Sequence, residues 1–319
     1  MNRLVLALAL LPLAIACSTR ADARRQDDGP VTVPMIAPLS TTGCGQTART
    51  GLSEETLTSG GAQRPYRLFV PSGYDANRPT ALVLNFHGFG GNGRQQETNS
   101  HMTQEAERSG FITVAPDGTE SPRRWHIYGR RENGYEEDFA FVRELVQHVS
   151  SRLCIDPARV YATGISNGGG TSSLLACELN DVIAAVAPVA GSPFPGPLCQ
   201  GKLPVPIIAF HGTDDTLVPF EGGPSGRLGL PSRGVRENQR QWADHNGCDL
   251  TLRSERVAPD VVLESYGGCS NGADVQLYVV EGGGHSWPGS YIGSRNGATT
   301  RSIDATALIW QFFAAHPRQ

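Results

Sequence analysis

Tyr161-Ala162-Thr163-Gly164-Ile165-Ser166-Asn167-Gly168-Gly169-Gly170 decides how this chain is read. An apolar, strand-like run over Val160–Thr163 enters a G-x-S-x-G, and a helical pattern over Gly168–Glu178 follows. Strand, sharp turn and helix form the setting in which a serine hydroxyl is held in strain above a sheet edge. A side chain at Gly164 or Gly168 is expected to clash with neighbouring backbone in so tight a turn. Ser166 is therefore the candidate nucleophile, and the helix after it brings N-terminal N–H groups to the reacting centre. The plainer reading is a glycine-rich helix cap with an incidental serine; the strand-turn-helix order favours the elbow.

Outward from this stretch, apolar runs of strand length recur at Tyr66–Val70, Ala81–Phe86, Ile112–Ala115, Ile183–Val189, Val205–Phe210 and Val275–Val280. Most are continuous rather than alternating, as in strands buried on both faces of a largely parallel sheet. Helical patterns lie between them. Phe139, Val142, Val146, Val149 and Leu153 make an apolar stripe over Asp138–Leu153, and further helices are expected near Gly168–Glu178, Arg236–His245 and Ser302–Ala315. The alternation predicts an α/β three-layer sandwich with a mostly parallel central sheet.

A serine hydroxyl needs a base to take its proton, and the base needs an acid to orient it. His211-Gly212-Thr213-Asp214-Asp215 follows one strand end, and Gly282-Gly283-Gly284-His285-Ser286-Trp287-Pro288 follows another. Acid and base past strand ends fall on the same sheet edge as Ser166. Residue patterning leaves Asp214 and Asp215 as competing acids. The order Ser, Asp, His is that of the α/β-hydrolases. His87 and His211, in H-G turns, read as structural; His101, His126, His148, His245 and His316 lack the strand-end setting. Phe86-His87-Gly88-Phe89-Gly90-Gly91 supplies a fourth element. Acyl transfer builds charge on the carbonyl oxygen, and each preorganised donor there contributes roughly 3–4 kcal/mol. Phe89 N–H and Asn167 N–H are the candidate oxyanion hole.

The chain has 319 residues, net charge −4, 38 Gly, 22 Pro and seven Cys. Lys202 is its sole lysine; the excess of arginine reads as codon composition. No basic stripe favours nucleic acid, and no apolar run in the body approaches the ~18 residues of a membrane span. Met1–Cys17 carries Arg3 and then the apolar run Leu4–Ala16, the pattern of a secretory signal. Cleavage is expected after Ala16, where Ala14-Ile15-Ala16-Cys17 resembles a lipobox that would lipidate Cys17, or after Ala23. Residues 24–43 read as a flexible tether and 44–319 as one catalytic domain. Setting Cys17 aside, six cysteines in an exported chain imply three disulfides. Cys248 with Cys269 is the favoured pair; Cys44, Cys154, Cys177 and Cys199 stay unassigned. With no C-x-x-C, and no His at zinc-finger spacing from a Cys pair, no metal site is expected.

These segments together resemble the secreted feruloyl-esterase and polyhydroxybutyrate-depolymerase-like family of α/β-hydrolases. The resemblance covers about residues 44–315. It rests on Asn85–Gly88, Ala115–Gly118, Asp156–Gly169, His211–Asp215, Trp242 with Asn246–Cys248, and Gly283–Gly289. It implies that the last residue of H-G-x-x-D is the acid, which selects Asp215. The Ser-Asn-Gly-Gly elbow and His-Ser-Trp-Pro are closer to the feruloyl-esterase-like branch. The positions of Cys44, Cys154 and Cys248 are also similar to those of secreted feruloyl esterases. No polymer-binding domain follows Gln319 in this sequence, which argues against action on crystalline polyester.

The expected activity is two-step ester hydrolysis by Ser166, Asp215 and His285, with no cofactor. Feruloyl or acetyl esters of plant polysaccharide such as xylan come first as substrates, and polyhydroxyalkanoate oligomers second. Trp287, Phe89 and Trp125, the last within the loop Trp125–Tyr128, are candidate substrate contacts for a phenolic acyl group or sugar; the alternative is that they pack the loops. A peptidase lacks support because no propeller-like repeat is present, and a non-catalytic binder is disfavoured by the intact set of catalytic residue types. No nucleic acid partner is expected, and the sequence does not specify an oligomeric state.

Overall fold

A computed structural model describes residues 42–127, 135–191, 193, 196–224, 231–292 and 296–319. The expected signal segment, Cys17 and most of the expected tether lie outside the described residues, as does Tyr128. Gly43, at the tether's end, already belongs to the fold: its N–H donates to the Ser150 carbonyl at 3.1 Å.

The chain opens with β1 (Gly51–Ser59), β2 (Ala62–Val70), β3 (Thr80–Phe86), α1 (Gly93–Ser100), α2 (Met102–Ser109) and β4 (Ile112–Pro116). Then come α3 (Tyr135–Ser150), β5 (Ile155–Ile165), α4 (Asn167–Glu178), β6 (Ala185–Val189) and β7 (Ile207–Gly212). After the two-residue strands β8 (Gly223–Pro224) and β9 (Pro231–Ser232) follow α5 (Val235–His245), β10 (Arg253–Ala258), β11 (Val261–Tyr266), β12 (Val275–Val280) and α6 (Ala305–Ala315).

Among the described residues, ten strands form one sheet in the order β1-β2-β4-β3-β5-β6-β7-β12-β11-β10. The middle, from β4 to β12, is parallel; β1–β2 on one side and β11–β10 on the other are antiparallel flanks. Buried strands read as unbroken apolar runs for a simple reason. Along β3, Leu82, Leu84 and Phe86 face one helical layer with Phe141, Val142, Leu145 and Leu174 of α3 and α4. Ala81 and Val83 face the other, with Met102 and Ala106 of α2 and Ile309 and Phe313 of α6. Both faces of the strand are covered, so both parities must be apolar.

The differences from the sequence reading lie at the periphery. Strand β1 has an alternating, half-exposed pattern carrying Glu54 and Glu55, suited to a sheet edge that must not pair with another chain. Helices α1 and α2 are too polar to show an apolar stripe. Three disulfides join described cysteines: Cys44–Cys154, Cys177–Cys199 and Cys248–Cys269. The first anchors the chain's entry to the start of β5, the second ties α4 to the loop before β7, and the third links the ends of α5 and β11. Such staples fit a protein that folds in an oxidising compartment.

Candidate active site

The sheet register aligns the strand ends that matter. Ile165 of β5 pairs with Val189 of β6, Val189 with Phe210 of β7, and Phe210 with Tyr278 of β12. Ser166 is the next residue past this row. Asp215 sits in the turn after β7, and His285 in the loop after β12. All three therefore lie at one sheet edge.

Ser166 has φ 57° and ψ −118°, a conformation that costs a non-glycine residue about 1–3 kcal/mol. It is held there from both sides. Its N–H donates to the Val189 carbonyl at 2.8 Å, and its own carbonyl accepts Gly170 N–H at 2.8 Å. The expectation that Gly164 and Gly168 tolerate no side chain has a structural basis. A Cβ on Gly168 would lie 2.2 Å from the Phe86 carbonyl oxygen, and one on Gly164 would lie 2.5 Å from the same atom.

Asp215 takes four N–H contacts. Its Oδ1 accepts the Leu217 and Val218 backbone N–H groups, each at 2.8 Å. Its Oδ2 lies 2.7 Å from His285 Nδ1. His211 Nε2 is 3.3 Å from the same Oδ2 and 2.9 Å from the Val218 carbonyl oxygen, so that nitrogen faces two acceptors and must carry a proton. Burial alone would push the Asp215 carboxyl up, but the hydrogen bonds from His211 and His285 outweigh it and hold the carboxyl well below the ordinary range. Asp214, the competing acid, meets the Thr213 hydroxyl at 3.2 Å instead. With Oδ2 of Asp215 on Nδ1, the neutral imidazole of His285 carries its proton on Nδ1, the tautomer that leaves Nε2 as the acceptor a general base requires.

His87, read from sequence as a structural turn residue, does more specific work. Its Nε2 accepts Gly118 N–H at 2.8 Å, so the proton resides on Nδ1, which donates to the Gly88 carbonyl at 2.7 Å. Burial pushes its pKa down and keeps the ring neutral. Gly91 N–H reaches the same carbonyl at 3.0 Å. In a trans peptide the C=O and the next N–H point in opposite directions. Fixing the Gly88 oxygen thus aims Phe89 N–H. Gly88 lies against the candidate nucleophile: a Cβ there would be 3.4 Å from Ser166 Cβ. Among the described residues neither Phe89 N–H nor Asn167 N–H is given to a protein acceptor. Replacing His87 by Ala should lower kcat about 10- to 100-fold with little change in KM, because a misaimed donor weakens oxyanion binding more than ground-state binding. Steady-state kinetics on a soluble ester measures this, and a change confined to KM would contradict it.

Two expected substrate contacts are corrected. Trp125 and Trp287 are each only 1% exposed and present no face to a ligand. Trp287 packs beside Phe210 and Ile309 in one core, and its indole N–H donates to the Thr306 hydroxyl at 2.9 Å. Trp125 braces the loop that carries the candidate oxyanion donor Phe89 N–H. Its indole N–H donates to the His87 carbonyl at 3.1 Å, and its ring meets Phe86 edge-on at 5.1 Å. Its backbone also pairs twice with the Asn167 side chain: Trp125 N–H to Oδ1 at 2.7 Å, and Nδ2 to the Trp125 carbonyl at 2.9 Å. One buried residue thereby ties together the two segments that carry Phe89 and Asn167. Of the expected aromatic contacts only Phe89 stays at the surface, 48% exposed. No periodicity or motif separates a buried tryptophan beside a candidate catalytic histidine from an exposed one.

Known proteins bear out the family. The model of the family described as "Esterase PHB depolymerase" matches residues 64–197. Feruloyl esterase B of Piromyces equi is 34% identical over 225 residues, 68% of this chain, and this chain spans only 41% of that protein's length. Feruloyl esterase C of Emericella nidulans is 30% identical over 285 residues, covering 86% of this chain and 90% of that protein. Among solved structures, acetyl xylan esterase from Aspergillus awamori superposes with a TM-score of 0.60 at 17% identity, over 82% of this chain and 99% of the other, a likeness of fold. The 30% identity to feruloyl esterase C through most of both sequences shows that the chain belongs to the feruloyl esterase and polyhydroxybutyrate-depolymerase-like family of α/β-hydrolase esterases.

Proposed function

We propose that this chain is an exported serine hydrolase of carboxylic esters, with feruloyl or acetyl esters of plant polysaccharide such as xylan as its substrates. The observation that carries the reading is the His285–Asp215 pair, at 2.7 Å, on the sheet edge where Ser166 is held in strain. Relatives named as feruloyl esterases support the substrate class. The signal-like N-terminus and the three disulfides support action outside the cytoplasm. Polyhydroxyalkanoate oligomers are the second reading, favoured by the matching family description.

In the first step Ser166 Oγ bonds to the ester carbonyl carbon as its proton passes to His285 Nε2. The carbonyl π electrons move onto oxygen, and Phe89 N–H and Asn167 N–H stabilise the resulting charge. Collapse of the tetrahedral species breaks the bond to the alcohol, which leaves with the proton from His285. Water then attacks the acyl-enzyme, gives its proton to His285, and Ser166 Oγ departs with that proton, releasing the acid. Asp215 stays ionised throughout and stabilises the imidazolium. A fluorophosphonate probe tests the reading: it should form one covalent adduct, mapped by peptide mass spectrometry to Ser166. Lack of labelling, or an adduct elsewhere, would remove the basis for the mechanism. Turnover of methyl ferulate, 4-nitrophenyl acetate and a 3-hydroxybutyrate oligomer, compared side by side, ranks the substrates.

A further inference from the structure

A cluster of charged groups lies behind the candidate oxyanion donors and outside the triad. His126 sits between two carboxylates: its Nδ1 is 2.8 Å from Asp138 Oδ2, and its Nε2 is 2.8 Å from Glu120 Oε1. A neutral imidazole carries one ring proton and donates to only one of them, so the form that satisfies both is the imidazolium. We propose that His126 is a positioning residue for ester hydrolysis: as an imidazolium it fastens the loop 117–127 to α3 and closes that loop on itself, which holds the backbone that braces Asn167. The proposal rests on the ester-hydrolase reading and adds to it a second histidine, one that must stay protonated while His285 must not.

The chain neighbours of His126 carry its effect to the reacting centre. The Trp125 backbone pairs with the Asn167 side chain at 2.7 and 2.9 Å. Ile127 packs on the next residues of α4: a Cβ on Gly170 would lie 2.7 Å from Ile127 Cδ1, and Gly170 N–H is the group that donates to the Ser166 carbonyl. Earlier in the loop, the Arg123 carbonyl accepts Gly90 N–H at 2.7 Å, and Gly118 N–H donates to His87 Nε2 at 2.8 Å. The loop 117–127 thus touches both segments that supply candidate oxyanion donors, and His126 is the point at which it is tied to α3.

The two ends of the clamp differ. The Asp138 side chain is 3% exposed; its Oδ2 also accepts His126 backbone N–H at 2.9 Å, and its Oδ1 accepts Arg64 of β2 at 2.8 Å. The Arg64 guanidinium in turn lies 3.9 Å from the centre of the Phe141 ring and 5.8 Å from that of Trp125. Glu120 is 43% exposed and is shared with Arg124 at 2.6 Å; further along the loop Arg123 meets Asp117 at 3.4 Å. Glu120 also sits at φ 70°, an uncommon conformation for a side-chain-bearing residue, and its bonds to His126 and Arg124 help to keep it there. Burial alone would push the His126 ring down, but the hydrogen bonds to Asp138 and Glu120 outweigh it and push the ring up. A neutral ring keeps its proton on Nδ1, toward the buried carboxylate, and sets a lone pair against Glu120, which then turns to water. The loop loses its internal tie, and the bond to Asp138 weakens from a charge-assisted to a neutral donor.

The test follows kcat on 4-nitrophenyl acetate from pH 5 to 10, beside an NMR titration of the His126 ring. In wild type kcat should rise as His285 loses its proton and then fall about 5-fold through the midpoint at which His126 titrates, above its ordinary value of 6.5. Glu120→Gln, at an exposed position, removes one of the two carboxylates and should move the ring midpoint and the alkaline limb of kcat down together by about 0.5–1 pH unit. His126→Gln carries no titrating proton; at pH 7 its kcat should be about 10-fold lower with KM little changed, and the alkaline limb should be gone. If that variant does not fold, the Glu120→Gln comparison decides alone. A ring midpoint at or below 6.5, a kcat limb that stays in place while the midpoint moves, or a folded His126→Gln with wild-type kcat would overturn the inference, and a fluorophosphonate adduct on Ser166 would leave the esterase reading intact. A wild-type protein that turns over no ester and takes no label would overturn both.

Discussion

Replacing Ser166 by Ala should reduce kcat by about 10⁴- to 10⁶-fold on any ester the protein hydrolyses, while the fold persists. The size follows from the chemistry. Without Oγ there is no acyl-enzyme, and water positioned by His285 and the oxyanion donors must perform a single-step attack. Stability should barely change, because alanine suffers at φ 57° as serine does. Ser166→Gly separates the two effects. Glycine adopts this conformation freely, so that variant should be equally inactive yet more stable by about 1 kcal/mol, seen as a raised Tm. Activity above about 1% of wild type in either variant would point to a different nucleophile. A Gly variant no more stable than the Ala variant would mean that the elbow stores no strain.

What the sequence reveals about this fold depends on how each segment is buried. Strand β12 is legible to the residue, Val275–Val280, because it is flanked by other strands and its pattern is almost wholly apolar. Strands β3, β4, β6 and β7 read nearly as well for the same reason. Strand β5 is longer than its apolar core, since Asp156, Pro157, Ala158 and Arg159 near its start are half-exposed. The flanking strands β1 and β10 escape because solvent contact allows polar residues along them, and with few apolar markers no period stands out. Helices α1 and α2 escape for a related reason. Gln96 and Glu97 are buried on α1 through partners such as Asn85, whose side-chain oxygen accepts the Gln96 amide at 2.7 Å. A composition scale counts such residues as solvent-facing.

The candidate site divides in a comparable way. Ser166 and His285 are legible because each stands in a local signature at a strand end; Asp215 shares such a setting with Asp214, and only the family resemblance separates the two. Residues that act through others carry no signature of their own. His87 aims a peptide only because Gly118 N–H occupies its second nitrogen, a contact across 31 residues. Trp125 braces Asn167 across 42 residues. Such roles are properties of tertiary contacts, and a single sequence gives the residue types without the contacts.

Asp215→Asn should lower kcat about 10⁴-fold at neutral pH while leaving the shape of the site nearly intact. The carboxylate faces N–H donors on both oxygens, from Leu217 and Val218 on one side and His285 and His211 on the other. An amide has a single acceptor oxygen. If that oxygen stays with the two backbone N–H groups, the NH2 group faces His285 Nδ1, which must then become an acceptor. The imidazole proton moves to Nε2, and the base can no longer take the proton of Ser166. The same substitution has a signature in stability against pH. The Asp215 carboxyl is held below its unfolded value, so its ionised form stabilises the fold fully above about pH 4, and the contribution fades as pH falls through the lower folded value. The difference in unfolding free energy between wild type and Asp215→Asn, from urea titrations at pH 3 to 8, should be flat above about pH 5 and narrow below about pH 4. A difference that widened on acidification would mean that the carboxyl is protonated in the folded protein, and the imidazolium would then lack its counter-charge.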